Sequence, residues 1–367
     1  MAAVASIAAV WWPFLSSNDT DLVFRYWDGP SYVTVAYSLY SKGGEVYSAY
    51  GFGADFYSAH FPAYPLAIRL FSAIGYFNSM LLVTVLATIA ASLAFYFLAR
   101  ESCPPKGALL LSIVFLLFPP RWVIYHSVGA SEPLFLFSVI SSVFFLGRKN
   151  VFFSAAFGVL AALTRTTGVL LFPALVAAAV HGKYFNGKAS ETKETRIPAA
   201  VIKEFAALLL IPAAFLLLLA FFNLQFGSFL APFKINAGYI KGPLSAVVEH
   251  GGAQAGEFTA LLFGAYLLGL ARLWQRERVL FFFASAAFVL PFIFVSHNDL
   301  SRYLLPAFPF ALLLAFDDVL APMLERKGFW LAFAVLVAAT YAYAWNAIPN
   351  NLMPADAFAR LREALTK

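Results

Sequence analysis

Long apolar runs separated by short polar segments dominate this chain. Residues 81–99, "LLVTVLATIAASLAFYFLA", and 205–222, "FAALLLIPAAFLLLLAFF", are typical examples. A run of about 20 apolar residues can cross the hydrocarbon core of a bilayer, because an α-helix rises about 1.5 Å per residue. Lipid offers no partners to backbone polar groups, so such segments must be helical. The pattern predicts an all-α, polytopic bundle of transmembrane helices.

Reading the apolar runs in order predicts about eleven spans within one integral membrane domain, residues 1–367. The spans begin near residues 1, 78, 107, 130, 151, 168, 204, 257, 279, 303 and 328. The segment 151–180 is too long for one span, and we interpret it as two short helices that meet at residues 164–167. Longer connections are expected at 16–77, 182–203 and 225–256.

The distribution of cations predicts the orientation of the bundle. With the N-terminus in the cytoplasm, 14 of the 25 Lys and Arg residues fall in cytoplasmic turns and in the loop 182–203. This bias agrees with the positive-inside rule. Segments 16–77 and 225–256 are then external loops. The first is rich in aromatic residues, and Arg69 argues against a span there, so we expect interfacial helices within it.

Composition narrows the class further. The chain is 62% hydrophobic and 12% charged, which is far from the composition of a soluble globular domain. Its single cysteine, Cys103, excludes an intrachain disulfide. The net charge of +6 is explained by contact with phospholipid headgroups and does not require nucleic acid as a partner.

Many of the remaining ionisable residues fall at external loops or external helix ends. Such groups at membrane depth are costly and usually line an aqueous cavity or a site. The alternative is that loops simply carry charges. Asp317 and Asp318 lie at an inner helix end, where we expect them to be solvated. The external set comprises Asp19, Asp21, Asp28, Asp55, His60, Arg121, His126, Glu132, Arg165, Lys234, Lys241, His250, Glu257, His297, Asp299 and Arg302.

Six short motifs follow one another in an order that resembles a known family. They are "FRYWDGPSYVTVA" at 24–36, "AHFPAYPLAIRL" at 59–70, "ASEPLFLF" at 130–137, "ALTRTTGVLLFPAL" at 162–175, "QFGSFLAPFKINAGY" at 225–239 and "SRYLLPAFPFALLLA" at 301–315. Together they resemble the PIG-V-type GPI-anchor mannosyltransferases, within the GT-C class of integral membrane glycosyltransferases. The matches are inexact; for example, Tyr26 is inserted between the Arg and Trp of the Arg-Trp-Asp motif.

The resemblance implies a glycosyltransferase of GT-C type. Such an enzyme moves a sugar, here mannose, from a polyprenyl (dolichyl) phosphate carrier to a hydroxyl of a glycan or glycolipid acceptor. Transfer takes place on the extracytoplasmic face, with inversion. A GT-C transferase for another sugar is one alternative, and a lipid or solute transporter or flippase is another. Transporters usually have pseudo-symmetric halves and charges near mid-span, and neither feature is visible in this sequence.

The resemblance also implies a catalytic role for Asp28. The attacking hydroxyl needs a base within about 3 Å, and Asp28 fits that role in the Arg-Trp-Asp motif. The alternative is that Asp28 caps a helix that starts at Ser31 or Tyr32, a common use of aspartate.

Arg302 and Arg165 are the candidate ligands of the donor phosphate. A guanidinium group binds two phosphate oxygens at once and can meet the negative charge that develops on the leaving group. The alternative for both is that they extend to the lipid headgroups.

Four further residues are candidates for orienting the acceptor or substrate: Trp27, His60, Glu132 and Tyr303. For Glu132, compensation of the helix dipole or pairing with Arg165 or Arg121 is also possible. We expect no cofactor and no metal site. Asp19 and Asp21 have the spacing of a metal pair but are interpreted as a solvated turn, and the histidines show no ligand spacing.

The predicted orientation can be tested with inserted tags. A tag at Asn186 should be protected in intact cells, because that loop is expected in the cytoplasm, and a tag at Gly43 should be accessible. Labelling of intact cells with an impermeant reagent measures both. The reverse pattern would place every candidate site residue on the cytoplasmic side.

Overall fold

The computed structural model is an all-α bundle. It describes residues 1–41, 45–49, 51–185, 206–235, 237–239, 241, 253–276, 278–295 and 300–366. These residues contain no β-strand, although an isolated antiparallel bridge joins Tyr26 to Leu352. The predicted loops 182–203 and 225–256 are described only in part. His250, His297, Asp299 and the tag positions Gly43 and Asn186 lie outside the described residues.

The first half of the chain alternates long apolar helices with short helices of the first predicted loop. Its α-helices are α1 (Ala2–Ser16), α2 (Asp21–Phe24), α3 (Asp28–Ser38), α4 (Glu45–Ser48), α5 (Ala63–Leu70), α6 (Tyr76–Ala99), α7 (Pro105–Leu117), α8 (Pro120–Tyr125), α9 (Glu132–Gly147), α10 (Val151–Ala162) and α11 (Leu171–Phe185). Short 3-10 helices cover Ala54–Ala59, Ser72–Ile74 and Thr166–Leu170.

The second half has the same character. Its α-helices are α12 (Leu210–Phe226), α13 (Ala231–Ile235), α14 (Ala253–Arg276), α15 (Arg278–Phe294), α16 (Leu300–Tyr303), α17 (Asp317–Leu324), α18 (Lys327–Ala347) and α19 (Ala355–Ala364). A π-helix at Pro309–Leu313 and 3-10 helices at Ala237–Tyr239 and Leu314–Phe316 complete the described elements.

The prediction of a polytopic helix bundle is confirmed. Judged by length and composition, three helices within the described residues are long and apolar enough to cross a membrane: Tyr76–Ala99, Ala206–Phe226 and Lys327–Ala347. Shorter apolar helices occupy most of the other predicted positions. The segment 151–180 forms two helices with a break at residues 163–165, as predicted.

The span predicted to begin near residue 303 is not a regular helix. The segment 300–316 passes from α16 through turns into the π-helix and a 3-10 helix. Pro306 and Pro309 lack the backbone N–H that a continuous helix needs. Irregular backbone is tolerated at membrane depth when protein covers it, and Leu304, Phe308 and Ala311 are fully buried. Arg302 therefore lies at the entrance of an irregular, protein-covered segment.

The turns predicted to be cytoplasmic meet at one end of the bundle. Arg148 pairs with Glu101 at 2.6 Å, and Lys106 pairs with Glu325 at 3.0 Å. Helix α9 begins at Glu132 and ends beside Arg148, so its 16 residues separate these two residues by about 24 Å. The candidate site near Glu132 and the charged turns are thus at opposite ends.

Asp317 departs from the expectation that it is solvated. It is 2% exposed, because α17 packs against α7, and it pairs at 2.7 Å with Arg276 at the end of α14. Asp318 is half exposed and binds both Arg272 and Arg276. These ion pairs join the end of α14 to the segment that follows the π-helix.

Removing the cation from this inner ion pair should destabilise the bundle. Arg276→Met leaves Asp317 buried without its partner, and we expect a loss of about 3 kcal/mol, at the lower end for a broken buried pair because Arg276 is partly exposed. Lys106→Met is the matched control, because it breaks an exposed pair with Glu325 that contributes less than about 1 kcal/mol. Unfolding of both variants in detergent measures the difference. Equal losses of stability in the two variants would contradict a stabilising role for the pair between Arg276 and Asp317.

Candidate active site

Asp28 is the first residue of α3 and does not cap that helix. The N-cap position belongs to Trp27, which makes no side-chain capping hydrogen bond. The helix therefore begins three residues before Ser31, and the capping alternative is wrong. A carboxylate in a first turn is favoured by the helix dipole, and the Asp28 side chain is 16% exposed.

Arg302 binds two carboxylates at once. Its Nη2 donates to Oδ2 of Asp28, and its Nε donates to Oε1 of Glu132 at 2.5 Å. The Arg302 side chain is 17% exposed and the Glu132 side chain 3%. Charges withdrawn from water are tolerated only when they are paired and hydrogen-bonded. The three side chains consequently hold one another in place.

Glu132 joins both candidate phosphate ligands. Its Oε1 also accepts a hydrogen bond from Nη1 of Arg165 at 2.7 Å. Glu132 therefore pairs with Arg165 and not with Arg121, whose guanidinium lies 5.5 Å from the ring centre of Tyr343. The second oxygen of Glu132, Oε2, is buried and has no hydrogen-bond partner within the described part of the chain.

Four residues that the sequence singled out thus form one charged cluster. They come from α3, α9, the break before the 3-10 helix at Thr166–Leu170, and α16. Two cations and two carboxylates give the cluster no net charge. We refer to Asp28, Glu132, Arg165 and Arg302 as the charged cluster.

Tyr32 and Ser131 support the charged cluster, although the sequence motifs did not single them out as site residues. The hydroxyls of Tyr32 and Ser131 are 2.7 Å apart, and Ser131 accepts a hydrogen bond from Arg165 at 3.3 Å. Tyr32 lies four residues after Asp28, so both are on one face of α3. That spacing is the feature of the sequence that indicates Tyr32 as a neighbour of Asp28. Ser131 could have been noted as the neighbour of Glu132 in the same motif.

His60 lies on the other side of Tyr32. The two rings are 4.9 Å apart in an edge-to-face arrangement. His60 is 6% exposed, and its Nδ1 has no hydrogen-bond partner among the residues that the structure describes. Burial lowers the pKa of His60 to about 4, so the ring is neutral near pH 7 and can donate or accept one hydrogen bond.

The electrostatic setting keeps Asp28 ionised. Burial raises the pKa of its carboxyl, but the positive charge and hydrogen bond of Arg302 outweigh burial, and the pKa lies below its usual value. An ionised carboxylate is the form that a general base requires. While it is paired with Arg302, however, its affinity for a proton is reduced.

Trp27 and Tyr303 flank the charged cluster in sequence. Trp27 precedes Asp28 and is 38% exposed. Tyr303 follows Arg302 and packs, partly buried, against the main hydrophobic core. The structure therefore places both beside the charged cluster along the chain, and their predicted role in orienting substrate remains a prediction.

Two glycines bring α3 against the loop before Glu132. A Cβ atom on Gly129 would lie 2.9 Å from Cα of Gly29 and 2.2 Å from Sδ of Met80. Since a real Cβ essentially never approaches backbone that closely, only glycine at 129 permits this contact. The close approach sets Asp28 and Glu132 at a separation that Arg302 can bridge.

Within the described residues, no group of three His, Cys, Asp or Glu side chains could hold a metal ion. Asp21, one of the two carboxylates with metal-pair spacing, instead binds Arg362 at 3.3 Å. In the charged cluster, two arginines are paired with two carboxylates.

The arrangement of helices is similar to that of two solved structures, both of GT-C glycosyltransferases. ArnT from Cupriavidus metallidurans, crystallised with undecaprenyl phosphate, has a TM-score of 0.57 at 12% identity, over 99% of this chain and 77% of that one. The Archaeoglobus fulgidus oligosaccharyltransferase, in complex with Zn and sulfate, has a TM-score of 0.53 at 14% identity. That match covers 96% of this chain and 54% of the other, so the chain spans about half the length of that protein.

No protein-family model and no curated protein matches the sequence. Identities of 12% and 14% establish a shared fold and no more. The narrower resemblance to PIG-V-type mannosyltransferases continues to depend on the sequence motifs alone.

Adding a methyl group at Gly129 should disturb the charged cluster. Gly129→Ala forces α3 and the loop before α9 apart, and we expect a loss of about 1 to 3 kcal/mol, typical of overpacking. Gly147→Ala is the control, because nothing lies within 4 Å of the added Cβ. Unfolding in detergent compares the two variants. A Gly129→Ala protein as stable as Gly147→Ala would show that the close approach is unimportant.

Proposed function

We propose that this protein is a glycosyltransferase that takes a sugar from a polyprenyl phosphate and transfers it to an acceptor hydroxyl on the extracytoplasmic face. The observation that carries the proposal is the charged cluster, in which a candidate base, two candidate phosphate ligands and the glutamate that joins them converge from four distant segments. The GT-C fold adds support, and so does ArnT, a neighbour in fold that was crystallised with undecaprenyl phosphate.

The reaction is a single displacement with inversion at the anomeric carbon. The acceptor oxygen attacks that carbon, and the bond between the carbon and the phosphate oxygen breaks. Asp28 takes the acceptor proton as general base. The phosphodiester becomes a monoester and gains negative charge, which Arg302 and Arg165 are placed to stabilise.

In this proposal the phosphate must first displace Asp28 from Arg302. The Nη2 of Arg302 donates to Asp28, so a phosphate oxygen that binds the same nitrogen takes the place of the carboxylate. Glu132 keeps the two arginines together during the exchange, because its Oε1 binds both. Donor binding therefore also frees the base, which regains affinity for a proton once Arg302 has turned to the phosphate.

The remaining candidates orient the substrates. Glu132 Oε2 and His60 Nδ1 are buried polar atoms that can hydrogen-bond a sugar or acceptor hydroxyl. Trp27 and Tyr303 offer aromatic surface beside the reacting groups. Mannose as the sugar, a glycan or glycolipid as the acceptor and a PIG-V-like specificity are what the resemblance of the sequence motifs implies.

One variant tests both the base and the exchange. In Asp28→Asn, turnover should fall by roughly 10² to 10⁴, the contribution of a positioned base. Binding of undecaprenyl phosphate should instead become tighter, because Arg302 no longer has a competing carboxylate. Turnover is measured by mass spectrometry with purified protein in detergent and a panel of polyprenyl-phosphate sugars, which also identifies the sugar.

Asp55→Asn is the control, because Asp55 is an exposed carboxylate of the same loop. It should change neither turnover nor carrier binding. Full turnover in a folded Asp28→Asn protein would remove Asp28 as the base. Unchanged carrier binding in that variant would remove the exchange step and leave the base assignment intact.

A further inference from the structure

We infer that residues 351–353, here called the C-terminal strap, are a positioning element of the active site. They hold the segment that ends at Asp28, although they are more than 300 residues away in sequence. The inference rests on the proposed function, since it assigns to the C-terminal strap the placement of the proposed base.

The C-terminal strap pairs with residues 25–27 as a short antiparallel bridge. Trp27 N–H donates to the carbonyl of Asn351 at 3.1 Å, and Met353 N–H donates to the carbonyl of Arg25 at 2.8 Å. The bridge itself joins Tyr26 and Leu352. Asp28 directly follows this paired segment, so the bridge fixes the backbone from which the Asp28 carboxylate extends.

The Arg25 side chain reinforces the bridge. Its Nε and Nη2 both donate to the carbonyl oxygen of Met353, at 3.0 and 2.8 Å. Arg25 is the arginine of the Arg-Trp-Asp motif. Its side chain nevertheless binds the C-terminal strap and is not part of the charged cluster. Two hydrogen bonds from one rigid guanidinium to one oxygen restrict the angle at which the chain enters α3.

The residue at the centre of the bridge connects it to Arg302. Tyr26 is 1% exposed, and its ring meets that of Tyr125 edge-on at 5.8 Å. The Tyr125 ring lies 4.3 Å from Cζ of Arg302, a cation–π contact. The bridge thus positions both members of one ion pair. It fixes the backbone next to Asp28, and the packed rings of Tyr26 and Tyr125 connect it to the Arg302 guanidinium that pairs with Asp28.

The C-terminal strap is itself anchored by α19. Arg360 donates to the carbonyl of Ala49 at 3.2 Å. Phe358 packs on Phe77, with ring centres 4.9 Å apart. Helix α19, which follows the C-terminal strap, therefore docks on the loop that carries Asp28.

A double-mutant cycle tests the inference. Arg25→Met retains the bulk of the side chain and removes both donors to Met353. At saturating donor, kcat should fall about 10- to 100-fold, the cost of misplacing a reacting group by about 1 Å. In the Asp28→Asn background the same substitution should change kcat less than about two-fold, because there is no base left to position. General damage to the fold would lower kcat equally in both backgrounds.

Arg362→Met is the matched control. Arg362 also joins the C-terminal region to the first loop, through an exposed ion pair with Asp21, but it has no contact with the bridge. It should leave kcat unchanged. If Arg25→Met does not fold, Arg25→Lys, which keeps the charge and one donor position, enters the same cycle.

Two results would overturn the inference and leave the proposed function standing. One is wild-type kcat in a folded Arg25 variant while Asp28→Asn is impaired. The other is an equal fall in kcat from the Arg25 substitution in both backgrounds. Full turnover in a folded Asp28→Asn protein would remove Asp28 as the base, and the inference with it.

Discussion

The rest of the structure depends on the ion pairs of the charged cluster. Each of its four side chains is mostly or almost completely withdrawn from water, and an unpaired charge in such a place is strongly destabilising. The cluster is therefore stable only if α3, α9, the break before Thr166–Leu170 and α16 all arrive at one point. The contact between Gly29 and Gly129, the irregular segment after Arg302 and the C-terminal strap each contribute to that convergence.

Much of the fold could be predicted from local sequence patterns. Apolar runs identified most helices. Placing the cations of the loop 182–203 in the cytoplasm correctly divided the run 151–180 into two helices. Hydropathy could not show that Pro306 and Pro309 break the run after Arg302, because both prolines lie among apolar residues. Nor could it show that Asp317 is buried, since its partner Arg276 is 41 positions earlier and meets it only in the folded bundle.

The charged residues of the site could be selected from the sequence, because ionisable side chains are rare in such an apolar chain. Each one is costly at membrane depth and therefore indicates a site or an aqueous cavity. Their pairing could not be predicted. Glu132 had two possible partners, and the sequence contains nothing that favours Arg165 over Arg121. Arg25 is the clearest case of a motif residue whose contacts could not be predicted from the sequence. Its contact is a backbone carbonyl 328 residues away, which leaves no trace in residue type or spacing.

The charge balance of the cluster suits the reaction proposed for it. With a phosphodiester bound, two arginines face Glu132, Asp28 and one phosphate charge. After transfer, Asp28 carries the acceptor proton and is neutral, while the monoester has gained the charge that Asp28 lost. The total charge of the site stays constant, and negative charge moves from the base toward Arg302 and Arg165. A buried site can accommodate such a shift at little cost, because no new net charge is withdrawn from water and the cations are already in place.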